Sequence, residues 1–327
     1  MDPGSVFTGT LLRLVEAENQ REQFRRKWAS HLATVPWEFS LESDTPLHHR
    51  LMGHERRPVP AGLGLHFSMW LQQQRAALDN ALYACMGVRQ GSFPPARENL
   101  LEFPIADSPA KFRGTKSIKN GAVDEEISEF LEAYQPYRRH YLGEEQNPHL
   151  SPLYWLNELA RIDRHRVMHV GVGSIQISRD LFLYGGAEHK VTHLVGEGHI
   201  LTGSTCVVGF STVQPLRSRK FRFLNKPQIL PEIADWSSAE SNILVLGDWH
   251  DPDPAKRTFY VQGYVPLYER MAGIEDLVIE ICGGLAIKAG LTRQFFSGVS
   301  SSRYSVTPHQ KKRWADEAAQ RRRVNGL

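Results

Sequence analysis

The sequence predicts an α+β protein: an N-terminal up-and-down bundle of helices, then an antiparallel β-rich half closed by a C-terminal helix. Three observations predict this. Apolar residues recur at helical spacing through much of residues 7–165. Beyond about residue 170 the pattern shortens to β-branched and aromatic runs divided by Gly, Asp and Pro. A helical stripe then returns at 268–290. A chain of 327 residues is long enough for two hydrophobic cores. The expected boundaries are a helical bundle at 1–170, a β-rich half with its terminal helix at 171–300, and a basic, flexible tail at 301–327.

The elements follow in order. Residues 7–32 place Leu11, Leu14, Val15, Phe24, Trp28 and Leu32 among charges, as in a long amphipathic helix. Residues 33–65 are rich in Pro, His and Gly without a sustained period and read as a loop. Residues 66–87 form a second helix with Trp70, Leu71, Leu78, Leu82 and Cys85 on its stripe, and 122–134 a third with Ile127, Phe130 and Leu131 on one face. A fourth begins at Ser151 as N-cap with Pro152 in its first turn, and its apolar side is Leu153, Leu156, Leu159 and Ala160. Helices of this kind bury their stripes by forming a bundle. Strands are expected within VGVGSIQIS, DLFLYGG, HKVTHLVG, GHILTGSTCVVGFSTV, SRKFRFLN, SNILVLGDW and RTFYVQGYVPLY; the last helix carries Met271, Ile274, Leu277, Ile281 and Leu285.

Composition excludes several classes. Hydrophobic residues make up 41% and charged residues 23%, ordinary for a soluble globular chain. A net charge of +3 is too mild to argue for nucleic-acid binding by itself. Cys85, Cys206 and Cys282 stand far apart, with neither disulfide framework nor metal spacing, which points to a reducing, cytoplasmic setting. The N-terminus lacks a secretory pattern, and the most apolar run, LVIEICGGLAIKAGL, is broken by Glu280 and Lys288, so no membrane span is expected. G-x-S-x-G, GxxxxGK[ST] and strand-linked G-x-G-x-x-G motifs are missing.

The densest ionic stretch is ARIDRHRVMHV, residues 160–170. Asp163 falls on the apolar side of the fourth helix, where an unpaired carboxylate is costly. The second helix shows a matching anomaly, since its stripe passes through Arg75 with Asp79 one turn on. If the two helices are neighbours, Arg75 and Asp163 would pair, with Asp79 and Arg166 completing a buried structural network. The same stretch also has functional readings. His165 and His169 lie four apart and share a helical face, as metal ligands do. No third ligand lies nearby; EHKVTH (Glu188, His189, His193) and GDWHDPD (Asp248, His250, Asp251, Asp253) have simpler explanations as a strand and a turn, so neither metal nor cofactor is expected. The basic strand LRSRKFRF (216–223) offers a phosphate contact or a charged edge strand.

Four segments in order, RAALDNALYA (75–84), FPI (103–105), YQPY (134–137) and PLYWLNELARIDRHR (152–166), resemble a widespread group of bacterial proteins, many from actinobacteria. These have an all-helical first half, a variable β-rich second half and no established activity. Arg164-His165-x3-His169 also resembles the R-polar-x3-H motif of ribonucleases in the HEPN superfamily. That resemblance implies a HEPN-like bundle and metal-independent RNA cleavage in a toxin or phage-defence effector. Arg164 would hold the scissile phosphate and His169 move the 2′-hydroxyl proton, with His165 beside them and RNA and a homodimer as partners. The group's second helix usually reads Arg-x4-His, itself HEPN-like; here that position is Asn80, which cannot transfer the proton. Residues five apart on a continuous helix point about 140° apart, so Arg164 and His169 converge only if the helix ends between them. The alternative class is a non-enzymatic protein-interaction module in which Arg75, Asp79, Asp163 and Arg166 are structural.

Overall fold

The computed structural model describes residues 3–138, 148, 151–165, 169, 171–176, 181–183, 189–194, 199–216, 221–223, 228–236, 244–247, 259–262 and 267–292. Within them the protein is α+β, with helices and antiparallel sheets. The short α1 (Pro3–Val6) leads into α2 (Thr8–Leu32), which buries Leu14, Ala17, Phe24 and Trp28. The long α3 (Gly62–Gln90) buries Leu63, Phe67, Trp70, Leu71, Leu78, Leu82 and Cys85, then stops at Gly91, whose φ of 65° suits a residue without a Cβ. Arg13 bonds Gln73 and Gln20 bonds His66, so partners on α3 fall as α2 rises, and the two helices run antiparallel.

Three short helices follow: α4 (Pro109–Gly114), α5 (Lys116–Lys119) and α6 (Glu125–Ala133). Asp124 caps α6 by accepting from the Ile127 N–H at 3.0 Å. α7 (Pro152–His165) buries Leu153, Leu156, Leu159 and Ala160. Ser151 holds the expected N-cap position, directly before Pro152. The Ser151 carbonyl accepts from the Trp155 N–H, but its hydroxyl is buried without a partner among the described residues. α8 (Leu267–Lys288) runs parallel to α3: Trp70 meets Glu275, Ala77 meets Cys282 and Arg89 meets the Lys288 carbonyl. Gly284 leaves room for Phe130, since a Cβ there would lie 2.4 Å from that ring. Among the described residues no helix is long and apolar enough to cross a membrane.

The expected loop at 33–65 is a β-hairpin. β1 (Trp37–Ser43) pairs with β2 (His48–Glu55), Trp37 opposite Glu55 and Leu41 opposite Leu51. The polar residues that hide this hairpin are satisfied inside it. His49 is buried facing the core and meets the hydroxyls of Ser43 at 2.8 Å and Thr212 at 3.2 Å.

In the β-rich half, β3 is Gly171–Gln176, β4 Leu181–Leu183, β5 His189–Leu194, β6 His199–Leu201 and β7 Ser204–Thr212. They are followed by β8 (Phe221–Phe223), β9 (Gln228–Ile233), β10 (Leu244–Gly247) and β11 (Phe259–Gln262). The main sheet has the order β1-β2-β7-β5, so the first half of the chain supplies two of its strands; a second sheet has the order β6-β3-β9, and β4-β8 and β10-β11 are pairs. β9 was not expected, because Pro231 interrupts its pattern. An edge strand tolerates that proline, which sits opposite Gly173. The tail at 301–327, residues 248–253 of the GDWHDPD turn and residues 217–220 of the basic strand lie outside the described residues.

Candidate functional site

α7 (Pro152–His165) takes in the first residue of the HEPN-like pair, and the two side chains differ in burial. The Arg164 side chain is exposed, with its Nε donating to the Ala160 carbonyl one turn back at 3.3 Å. His169 turns inward. It is 1% exposed, its Nε2–H donates to the Leu159 carbonyl at 2.9 Å, and its ring stands edge-on to Phe67 at 5.4 Å. The imidazole therefore closes the end of α7 against α3, where a proton-transferring group would need to face substrate. The His165 side chain and Arg166 lie outside the described residues.

Arg75 and Asp163 are corrected as a pair, because each has other partners. Asp163 is half-buried and accepts from the Ser68 hydroxyl and from Gln72 Nε2 at 3.1 Å. Both donors lie on α3, so Asp163 joins α7 to α3 by hydrogen bonds to neutral side chains. Arg75 is buried further along α3 and turns toward the segment after it. Its Nη2 donates to the Phe103 carbonyl at 2.7 Å and to Glu102 at 3.1 Å, and lies 3.4 Å from Asp79. Asp79 also accepts from the Phe103 N–H at 2.8 Å. Burial pushes the Asp79 carboxyl above its ordinary value, against the pull of the Arg75 guanidinium, the Phe103 N–H and the more distant Arg164. The cluster thus splits into an α3–α7 clasp and a clamp on residues 102–103.

Comparison with protein-family models, curated proteins and solved structures finds no match to this chain. The chemistry of the site therefore rests on its own geometry.

That geometry offers few ligands. Among the described residues no three His, Cys, Asp or Glu side chains gather as metal ligands do, and His169 Nε2 is already spent on a carbonyl. His189 and His193 lie on β5, with side chains outside the described residues, as is Glu188. Two shallow cavities sit away from the α7 end. One, of about 490 Å³, is lined by Met86, Arg89, Val123 and Asp124; the other, of about 400 Å³, by Arg113, Glu132, Tyr137 and Arg138. Arg89 and Arg138 are already held in ion pairs, to Asp124 and Glu126 and to Glu132.

Two deeper ionic nodes escape a reading of the sequence. Glu275 on α8 accepts from Arg21 Nε at 2.9 Å and from the Trp70 indole at 2.7 Å, which ties α8 to α2 and α3. Burial raises its carboxyl above the ordinary range, opposed by Arg21 and Trp70. Arg270, one turn earlier, bonds the Glu232 carboxylate on β9 and donates to the Trp236 carbonyl at 2.7 Å; its guanidinium lies 4.4 Å from the Trp236 ring centroid. Both partners are sealed, with side chains 1% and 0% exposed. The signal was present in the sequence: Arg270 and Glu275 interrupt the apolar face of the last helix just as Arg75 interrupts that of α3.

Proposed function

We propose that this chain is a cytoplasmic, non-enzymatic interaction module, in which buried ion pairs fix the relation of helices to sheets. The observation that carries this is the burial of His169 with its Nε2–H committed to Leu159, while Arg164 faces water. Metal-independent RNA cleavage needs an acid–base group and a cation presented to one phosphate. The Arg164 side chain is exposed, whereas the His169 side chain is sealed. On this reading Asp163, Arg75 and Asp79 serve packing, and RNA or a second copy of the chain would act as a partner only through surface contact.

The test is incubation of the full chain with mixed single-stranded RNA in EDTA. The expected result is no cleavage above buffer, in wild type and in Arg164→Ala and His169→Ala alike. Cleavage by wild type that both substitutions abolish would restore the HEPN-like reading.

A further inference from the structure

The junction between α2 and the hairpin holds a titratable group that the proposed function does not use. His31, in the last turn of α2, is 6% exposed. Its ring packs against Trp28 at 5.6 Å and stands edge-on to Trp37 at 5.4 Å, and the two indoles lie 5.8 Å apart. Trp37 is the first residue of β1, and it also reaches the second sheet: a Cβ at Gly173 on β3 would lie 2.5 Å from its ring. One helix and two sheets therefore meet on this aromatic trio. The link between them is short, and its Val35 has a φ of 50°, so the hairpin is held close to the helix end at some backbone cost.

His31 Nε2 and Trp37 Nε1 are both buried without a hydrogen-bond partner among the described residues. A neutral imidazole tolerates this at the cost of one lost hydrogen bond. An imidazolium would be a buried charge with an orphaned donor, which is far more costly. We propose that His31 is a proton-operated latch, which holds the β1–β2 hairpin against α2 while neutral and releases it when protonated.

The charged surroundings do not rescue the protonated form. Glu55, at the end of β2, favours the proton, and Arg57 just beyond opposes it. Lys27, one turn earlier on α2, reaches toward Gly62 on α3. Desolvation is the larger influence and holds the His31 pKa below its ordinary 6.5. The sign follows from linkage. A histidine depressed in the folded state contributes its full stability above pH 6.5 and loses it as the pH falls below that value. Each unit of depression favours the released hairpin by roughly tenfold at low pH.

The experiment is amide hydrogen exchange of the full chain at pH 7.5 and 5.5, corrected for intrinsic rates. His31→Phe and His31→Gln serve as variants that cannot take the proton. His66, which burial also depresses, remains in both variants and controls for general acid sensitivity. Wild type is expected to lose protection across residues 37–55 at the lower pH, while α3 keeps its own, and both variants are expected to hold the hairpin at both pH values. Unchanged wild-type protection, or variants that open in step with wild type, would overturn the proposal. Should neither variant fold, the wild-type His31 ring titration by NMR decides. A pKa under 6.5 coinciding with hairpin release supports the latch, and a value at or above 6.5 contradicts it.

Discussion

Arg164 and Arg270 both lie on helices with apolar faces, and they come to opposite ends. Arg164 belongs to the richest ionic run in the chain, yet its side chain is exposed and its Nε bonds its own helix. Arg270 lies in a more apolar stretch, beside Glu269, yet it is 1% exposed and bonds a carboxylate, a carbonyl and an indole face. Arg21 and Glu275 are likewise buried and joined, across 254 residues of sequence separation, although Arg21 lies in a charge-rich run. Density of charge along the chain does not by itself decide exposure. A charge on the apolar stripe of a helix marks a node that the core was built around, because only a partner brought in by the fold can offset its desolvation.

The sharpest way to break this comparison is to remove the buried node. Arg270→Ala leaves Glu232 sealed without its cation and is expected to cost about 3–5 kcal/mol in denaturant unfolding. The double variant Arg270→Met, Glu232→Gln is expected to recover much of that loss, because no buried charge remains. A cost under about 1 kcal/mol for Arg270→Ala would place the node in the same class as a surface pair.

The junction beside it should respond to shape. Gly173→Ala drives a methyl into the Trp37 ring, which is held between β3 and α2, and is expected to destabilise by about 1–3 kcal/mol in the same assay. At the clasp, Asp163→Ala is expected to cost about 1 kcal/mol, since its two donors can turn to water at a half-exposed site. Arg164→Ala should fall within about 0.5 kcal/mol of wild type.

The smallest effect belongs to another exposed cluster. Glu22 bonds Arg25 and Arg26, and the Arg25 hydrogen bond leads in holding its carboxyl at about 2. A depressed carboxylate contributes above its ordinary 4.5 and loses that contribution as the pH falls toward 2. Solvent screening limits this to a few tenths of a kcal/mol, so Glu22→Gln should change the midpoint at pH 7 only slightly, and less still in high salt.

How far the fold could be read follows from the same physics. α2, α3, α6, α7 and α8 were legible because each repeats apolar residues at helical spacing. The hairpin was hidden because His49 and Gly53 take inward positions where alternation would show Val or Ile, and their cost is offset by Ser43, Thr212 and the neighbouring Phe39 ring. β9 was hidden by Pro231, which only an edge position permits. At the site, the interruption of the α3 stripe by Arg75 could be seen, but Glu102 and Phe103 lie on an aperiodic segment and could not be named as its partners. The direction taken by His169 was beyond reach because it depends on the position of Phe67 and the Leu159 carbonyl, which the fold alone supplies.

The central claim, that His169 is sealed packing, is tested most directly by hydrogen exchange at the imidazole C2 position, read by mass spectrometry on the native chain. His48, on the exposed face of β2, supplies the internal reference. The account predicts that His169 exchanges roughly tenfold or more slowly than His48 at neutral pH, and approaches it only on unfolding. Equal rates for the two in the folded chain would mean that the imidazole meets solvent beside Arg164, and would contradict the account.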